Sequence, residues 1–174
     1  MNKKQYLSVL SNAADGAIIY YVGENEEDVQ HLENCTLLCK ESFSPKLQNV
    51  QLIKSKNPQL EFYKLSEKYK KDYLEENKLE FISGYYLHKD AVIGENVTIG
   101  KGCVIGKCVI EDNVKIHPNV VIYAETKIMS DVVIEANTVI GAEGVMWVWD
   151  NEERVYLHQL GGVIIEKHCK IGSN

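Results

Sequence analysis

Isoleucine recurs at every sixth position through most of the second half of the chain. The isoleucines that carry this spacing are Ile93, Ile99, Ile105, Ile110, Ile116, Ile122, Ile128, Ile134, Ile140, Ile165 and Ile171. A period of six does not match the 3.6-residue turn of an amphipathic helix, and it is typical of β-helical repeats. The spacing breaks between Ile105 and Ile110 and again between Ile140 and Ile165. The pattern predicts a parallel β-helix built from short strands and corners.

The residue two positions before each isoleucine is small or β-branched. These residues are Ala91, Val97, Cys103, Cys108, Val114, Val120, Thr126, Val132, Thr138, Val163 and Cys169. Residues two apart on a strand point to the same face, so both members of each pair should face the interior. Between the pairs, segments 94–96, 100–102, 111–113 and 117–119 are rich in Gly, Asn, Asp and Pro, which suit corners. Three such corners would close a triangular coil, and stacked coils would bury a continuous column.

The two breaks in the spacing predict local departures from the regular coil. The step from Ile105 to Ile110 is one residue short, which predicts a tightened corner. The stretch from Gly141 to Gly162 predicts a loop inserted into the β-helix, and it contains both tryptophans of the chain, Trp147 and Trp149, and a charged tip at 150–154. Such loops often carry function.

The first eighty residues have no repeat. Apolar runs predict strands at 17–22, 36–39 and 50–53, and an acidic start predicts a helix over 24–32. Pro58 should open a second helix that continues to about Tyr73. This order predicts a small α/β domain over residues 1–80, followed by a β-helix over 81–174 with its insertion at about 141–162. No glycine-rich phosphate-binding motif follows the first strand.

Composition narrows the classes of function. A net charge of −6 and an isoelectric point near 5.4 argue against nucleic acid as a partner. The sequence has neither an apolar run long enough to span a membrane nor a signal peptide, so we expect a cytoplasmic protein. Three of the five cysteines occupy inward positions of the repeat, and Cys35 and Cys39 lie in a predicted strand. No C-x-x-C pair is present, so the spacing predicts no zinc site.

Several local motifs resemble one family. The motifs are IHPNVVIY at 116–123, IGAEG at 140–144, the exit segment HQLGGVIIEKHCKIGSN at 158–174, and Asn57-Pro58-x-Leu60 in the first domain. Together they resemble the UDP-3-O-acylglucosamine N-acyltransferases over nearly the whole chain. The resemblance implies a small α/β domain followed by a left-handed parallel β-helix. It also implies transfer of an acyl group from an acyl-carrier or CoA thioester to an amino group of a nucleotide-linked sugar, with no bound cofactor.

The resemblance also indicates where the nucleotide sugar would bind. The family's uridine site uses an aromatic residue, an asparagine and a tyrosine, and these positions align with Ile19, Val22 and Asn25, none of which matches. Tyr20 or Tyr21 could instead stack on a base, although strand alternation lets only one of them face a given side. Tyr21 and Asn25 are therefore the candidate substrate-binding residues.

The inserted loop supplies the candidate residues on the acyl-donor side. Trp147 and Trp149 replace the family's glycine- and phenylalanine-rich loop, which lines the acyl and pantetheine groove, and His158 and Gln159 lie at the loop exit. One interpretation is a reshaped acyl pocket. The other is that the two indoles pack the loop onto its own coil or a neighbouring subunit. Aromatic side chains with a polar atom serve both uses.

No catalytic residue is assigned from the sequence. The family's catalytic histidine follows the segment that resembles 171–174, so we expect the natural chain to continue beyond Asn174. The five histidines present are expected to be exposed or structural, with His158 the best candidate for a ligand contact. The resemblance further implies a homotrimer. The alternatives are a non-catalytic trimeric scaffold or sugar-nucleotide-binding relic, and a zinc carbonic anhydrase, for which His117, His158 and His168 lack a persuasive spacing.

Overall fold

The computed structural model describes residues 5–70, 72 and 74–174, and it divides into two compact units. The first unit comprises Met1–Lys70 and Gly144–Leu160, and the second comprises Lys71–Glu143 and Gly161–Asn174. The inserted segment therefore belongs to the N-terminal unit and not, as the sequence pattern predicts, to the coils.

The N-terminal unit is built on a parallel sheet of four strands. In spatial order they are β1 Tyr6–Leu7, β2 Ala17–Tyr21, β3 Thr36–Lys40 and β4 Gln51–Ser55. Alternate residues of the two central strands, among them Ile19, Leu37 and Cys39, are buried together with Val29 and Phe43 on one face of the sheet. The buried runs at 17–22 and 36–39 thus form strands, as their apolar character predicted, while β1 had no recognisable pattern.

An α-helix, α1 Pro58–Ser66, lies against the other face of the sheet. The side chain of Asn57 caps it, since Asn57 Oδ1 accepts a hydrogen bond from Leu60 N at 3.1 Å, and Pro58 occupies the first turn. The helix ends at Ser66 and a 3₁₀ turn continues over Glu67–Tyr69, so it is shorter than predicted; Tyr73, the predicted end, lies outside the described residues.

The predicted helix over 24–32 is wrong. Only Glu26–Val29 is helical, and it is a 3₁₀ turn. Asn25 Oδ1 accepts a hydrogen bond from Glu27 N at 3.1 Å, and Asn25 Nδ2 donates to Asp28 Oδ1 at 3.4 Å. Local bonds of this kind offer the backbone an alternative to the α-helical ladder.

The remaining strands belong to the coils and to the insertion. In chain order they are β5 Leu79–Ile82, β6 Tyr85–His88, β7 Val92–Ile93, β8 Thr98–Ile99, β9 Val104–Ile105, β10 Val109–Ile110, β11 Lys115–Ile116, β12 Val121–Ile122, β13 Lys127–Ile128, β14 Val133–Ile134, β15 Val139–Ile140, β16 Trp147–Asp150, β17 Glu153–Tyr156, β18 Ile164–Ile165 and β19 Lys170–Ile171. A 3₁₀ turn, Glu76–Lys78, leads into the antiparallel pair β5 and β6.

Successive two-residue strands of the coils belong to three different sheets in turn. The sheets have the orders β18-β13-β10-β7, β19-β14-β11-β8 and β15-β12-β9-β6-β5, with parallel pairing between coils. Ile105, Ile122, Ile128 and Ile134 are fully buried, which confirms that the recurring isoleucines face inward. The small partners Cys103, Val114, Val120 and Val132 are fully buried as well.

The corners explain the glycines and asparagines between strands. Asn96, Asn113 and Asp131 have left-handed backbone angles, with φ between 56° and 62°, and lie above one another on successive coils. Asn113 Nδ2 donates to Asp131 Oδ1 at 3.2 Å, and Asn96 Nδ2 donates to Asn113 Oδ1 at 3.3 Å. At Gly94 the constraint is close approach, because a Cβ there would lie 2.7 Å from the backbone of Glu111 on the next coil.

Candidate functional site

The inserted segment forms an antiparallel hairpin of β16 and β17 with two different faces. Trp147 pairs with Tyr156, and Trp149 pairs with Arg154, so these four side chains lie on one face. Trp147 is 38% exposed, Trp149 52% and Tyr156 47%. The rings of the two tryptophans meet edge to face at 4.9 Å. We call these four residues the aromatic shelf.

The other face of the hairpin lies against α1. Asp150 Oδ2 accepts a hydrogen bond from Lys64 Nζ at 2.7 Å, and this hydrogen bond raises the pKa of Lys64 above its usual value. At the hairpin exit, the backbone N–H of His158 donates to Ser66 Oγ at 3.0 Å. Because the anchoring contacts use the reverse face, the shelf is left open to solvent.

Ser66, His158 and Glu67 have the residue types of a catalytic triad but not its geometry. Ser66 is fully buried, and its hydroxyl donates to the carbonyl of Tyr63 at 2.7 Å while accepting from the main chain of His158. The imidazole of His158 contacts the carboxylate of Glu67 rather than the serine hydroxyl. Nucleophilic catalysis needs the ring of the base on the hydroxyl, so these residues fasten the hairpin.

Tyr21 and Asn25, the candidate substrate residues, are neighbours with mutual contacts. The Tyr21 hydroxyl donates to Asp28 Oδ2 at 2.6 Å and lies 3.1 Å from the carbonyl of Asn25, and its hydrogen bond to Asp28 raises the pKa of Tyr21. The Tyr21 ring packs on Phe43 at 5.2 Å between centroids. The side chains proposed to hold a base are thus engaged in contacts within the unit.

The structure does not bring the two predicted groups of site residues together. Tyr20 packs on Phe62 of α1 with ring centroids 4.9 Å apart, while Tyr21 packs on Phe43 beneath the opposite face of the sheet. The hairpin lies on the α1 side. The sheet therefore separates Tyr21 and Asn25 from Trp147 and the rest of the shelf.

The second unit contains an open groove of its own, with a cavity volume of about 470 Å³. It is lined by Leu74, Glu76, Leu79, Tyr86, Val104, Val121 and Tyr123. Tyr86, Val104 and Val121 lie on adjacent strands of one sheet and point away from the coil interior. The lining is apolar except for one carboxylate and the phenol oxygens, so it suits an aliphatic chain or another apolar surface.

Among the histidines, His117 has the arrangement closest to that of a general base. Its Nε2 lies 3.7 Å from Glu135 Oε2 on the neighbouring coil, and both side chains are 31% exposed. Glu135 Oε1 also pairs with Lys170 Nζ at 3.2 Å. A partly exposed imidazole beside a carboxylate can take up a proton from a substrate.

The other histidines have structural surroundings. His88 is buried, its Nδ1 accepts a hydrogen bond from Asp90 N at 3.0 Å, and its Nε2 faces Glu75 Oε2 at 3.2 Å without an aligned hydrogen bond. His31 Nε2 lies 3.1 Å from the carbonyl of Leu10. His168 is largely exposed and lies 3.7 Å from Asp131.

The metal-ligating side chains of the described residues are dispersed, and several of the thiols are buried. Over residues 5–70, 72 and 74–174, no group of three or more His, Cys, Asp or Glu side chains is arranged to hold a metal ion. Cys103 and Cys108 are buried in the coil core as predicted, and burial raises the pKa of Cys108 to about 12. A thiol with such a pKa is a poor nucleophile.

Arg154 and Tyr156 are not predicted as site residues from the sequence, yet both lie on the aromatic shelf. The sequence predicts a charged tip over 150–154, yet only the middle of this segment forms the turn, around Asn151 with a φ of 54°. The two-residue alternation of Trp147 and Trp149, repeated by Arg154 and Tyr156, was the available signal for a hairpin.

One comparison with known proteins bears on the coils. Residues 107–142 match the family model described as Bacterial transferase hexapeptide (six repeats). No curated protein matches this chain. The repeats are thus similar to those of the bacterial hexapeptide transferases, and such repeats imply a left-handed β-helix, which supports the predicted hand of the coils. The finer resemblance to the UDP-3-O-acylglucosamine N-acyltransferases stays a prediction. No helix in the described residues is long and apolar enough to cross a membrane.

Proposed function

We propose that the protein is an acyltransferase, or the part of one, that acylates an amino group of a nucleotide-linked sugar. The observation that carries this proposal is the match of residues 107–142 to the transferase hexapeptide repeats, on coils whose isoleucines are buried as those repeats require. The family description supports acyl or acetyl transfer in general. The nucleotide sugar and the acyl-carrier or CoA thioester come from the resemblance of the motifs at 57–60, 116–123, 140–144 and 158–174.

The reaction needs a base that removes a proton from the attacking amine. His117 is the residue to test, because it combines partial exposure with a carboxylate partner, Glu135. The loop residues Trp147, Trp149, His158 and Gln159 are assigned to the donor side, as the sequence predicts. Tyr21 and Asn25 keep a weaker assignment to the acceptor, since their side chains are engaged with Asp28.

The test is a direct assay of acyl transfer. The purified chain is mixed with a UDP-linked amino sugar and either acyl-CoA or an acyl-carrier thioester, and thiol release and the amide product are measured. We expect product with one of the donors, and loss of about 100-fold or more in kcat for His117→Gln if His117 is the base. His168→Gln, which alters an exposed histidine, should leave the rate unchanged. Thiol release without amide product would refute the proposal.

The second candidate is a non-catalytic trimeric scaffold or sugar-nucleotide-binding relic. The specific observation in favour of the scaffold is that the Tyr21 hydroxyl and the Asn25 amide are both hydrogen-bonded to Asp28. Retained binding of the nucleotide sugar, with no turnover from any donor, would favour this candidate over the enzyme.

We propose that the subunits of a homotrimer contact one another through a row of outward apolar side chains on one sheet. Tyr86 and Val139 on this row are about half exposed, with Val104 and Val121 between them. The outward positions of another sheet include Lys115 and Lys170, which suit solvent. Sedimentation should give a trimer, and Val121→Glu should shift it to monomer, whereas Lys115→Glu should not. A wild-type monomer at high concentration would contradict the assignment.

A further inference from the structure

The rarest side chains of this protein lie together on the aromatic shelf. The chain contains two tryptophans and a single arginine, and all three are on one face of the hairpin. Both tryptophans and Arg154 are solvent-accessible there, next to Tyr156. A hairpin face that only packed the insertion down would bury these rings; here the valines of the opposite face, Val148 and Val155, are the less exposed residues.

The two indole rings hold the guanidinium of Arg154, and these ring contacts do not use its N–H groups as hydrogen-bond donors. Its guanidinium carbon lies 4.7 Å from the Trp147 ring centroid and 5.3 Å from that of Trp149. In the described part of the chain these ring contacts are its interactions, and no carboxylate pairs with it. A guanidinium stacked on indoles is fixed in orientation, and its planar fork of N–H groups matches the oxygens of a phosphate.

Charge is segregated between the two faces of the hairpin. Asp150 and Glu153 oppose each other in the register, so both carboxylates lie on the face away from Arg154. Asp150 is moreover paired with Lys64. Arg154 is therefore the one charged strand residue on the shelf, and the shelf presents a cation on an aromatic surface although the whole protein is acidic.

We infer that the aromatic shelf binds a nucleoside diphosphate. The base would stack on an exposed indole and the phosphates would lie against the Arg154 fork, since bases stack on aromatic side chains regardless of their identity. An aliphatic chain would leave the guanidinium unused, and a neutral sugar would not need its charge. The inference rests on the proposed function for one point only: the nucleotide sugar and CoA of that reaction both contain a nucleoside diphosphate.

The shelf contains its own reporter, because both tryptophans of the chain belong to it. We would excite the purified chain at a wavelength selective for indole and titrate it separately with UDP, ADP, uridine and inorganic pyrophosphate. Saturable quenching by UDP or ADP, stronger than by uridine or by pyrophosphate alone, is expected. Tighter binding of a UDP-sugar than of UDP would assign the shelf to the acceptor, and tighter binding of CoA than of ADP would assign it to the donor.

Variants separate the shelf from unspecific binding. Arg154→Gln should weaken UDP or ADP binding by about tenfold or more, because one charge-assisted contact is lost, and Arg154→Lys should restore only part of it. Lys46→Gln, which removes an exposed cation elsewhere in the same unit, should bind as the wild type does. Unchanged binding by Arg154→Gln would overturn the inference. So would the absence of quenching by either diphosphate, or an emission shift that depends only on protein concentration, which would indicate a second copy on the shelf.

The assay also distinguishes failure of this inference from failure of the proposed function. Binding is measured without a donor and without turnover. If the chain binds UDP or CoA at the shelf but transfers no acyl group, the inference stands and the proposed function fails. If the Arg154→Gln variant transfers acyl groups at the wild-type rate, with unaltered KM for both substrates, the proposed function stands and the inference fails.

Discussion

Replacing Ser66 by alanine tests how the hairpin is held on α1. Ser66 is fully buried, and its hydroxyl accepts from His158 N at 3.0 Å and donates to the Tyr63 carbonyl at 2.7 Å. Each such hydrogen bond contributes about 1 kcal/mol net, so Ser66→Ala should lower the free energy of unfolding of the N-terminal unit by about 2 kcal/mol. The loss would approach about 3 kcal/mol if the freed N–H of His158 found no water.

Urea unfolding followed by tryptophan emission measures this loss in the right unit, because Trp147 and Trp149 are both on the hairpin. The midpoint should fall without a change in the slope. The matched control is Ser42→Ala, an exposed serine of the same unit, which should change stability by no more than about 0.5 kcal/mol. If the two variants were equally stable, the contacts of Ser66 would not be what fastens the hairpin.

Two further predictions concern the coils. Ile122→Ala removes a fully buried side chain between Ile105 and Ile140 and should cost about 2–5 kcal/mol of unfolding free energy by chemical denaturation, while Val139→Ala, half exposed on the outer surface, should cost far less. The hydrogen bond from Lys127 lowers the pKa of Glu111, so the folded coils bind a proton there less readily than the unfolded chain. This contribution to stability is present above the usual carboxyl pKa of about 4.3 and is lost as pH falls through the lowered value. Glu111→Gln should therefore reduce the loss of thermal stability on acidification, and an unchanged pH dependence would contradict the assignment.

The coils were largely predictable because their fold follows from a six-residue pattern that is local in the sequence. The inward isoleucines and their small partners are buried as the six-residue pattern requires, and the corner asparagines take the left-handed angles that their residue type favours. The short step at Ile105 is also explained: the strands of β7 and β10 pair with a spacing of 17 residues, while β10 and β13 pair with a spacing of 18. Each of these features depends on residues that are close in the sequence or on the adjacent coil, which has a similar structure.

The N-terminal unit was predicted less well, since its structure depends on contacts between distant residues. The two-residue strand β1 pairs with β2 through a backbone ladder and has no pattern of its own. The helix expected over 24–32 is replaced by a short turn because the Asn25 side chain and Asp28 form local hydrogen bonds. Nothing in the apolar pattern distinguishes an acidic helix start from such a turn.

The candidate site could be found only in part. The two tryptophans indicate the insertion as a candidate site. The sequence pattern predicts this insertion as a loop of the coils, and Arg154 as part of its charged tip. Its position became meaningful only through the register of β16 and β17, which sets it opposite Trp149. The same register sends Asp150 to the reverse face, where Lys64 meets it. Tyr21 and Asn25 are the opposite case. Their residue types suit a binding site, but in the fold both side chains are hydrogen-bonded to Asp28.

The two faces of the hairpin depend on one another physically. A two-stranded hairpin by itself is marginally stable in water, so the order of the shelf must come from the reverse face. There Asp150 and the main chain of His158 attach both ends of the hairpin to the same helix, at Lys64 and Ser66. A binding surface that is already ordered loses less conformational entropy when a ligand arrives. Contacts that look purely structural on α1 therefore set how well Arg154 and the indoles can bind on the other side.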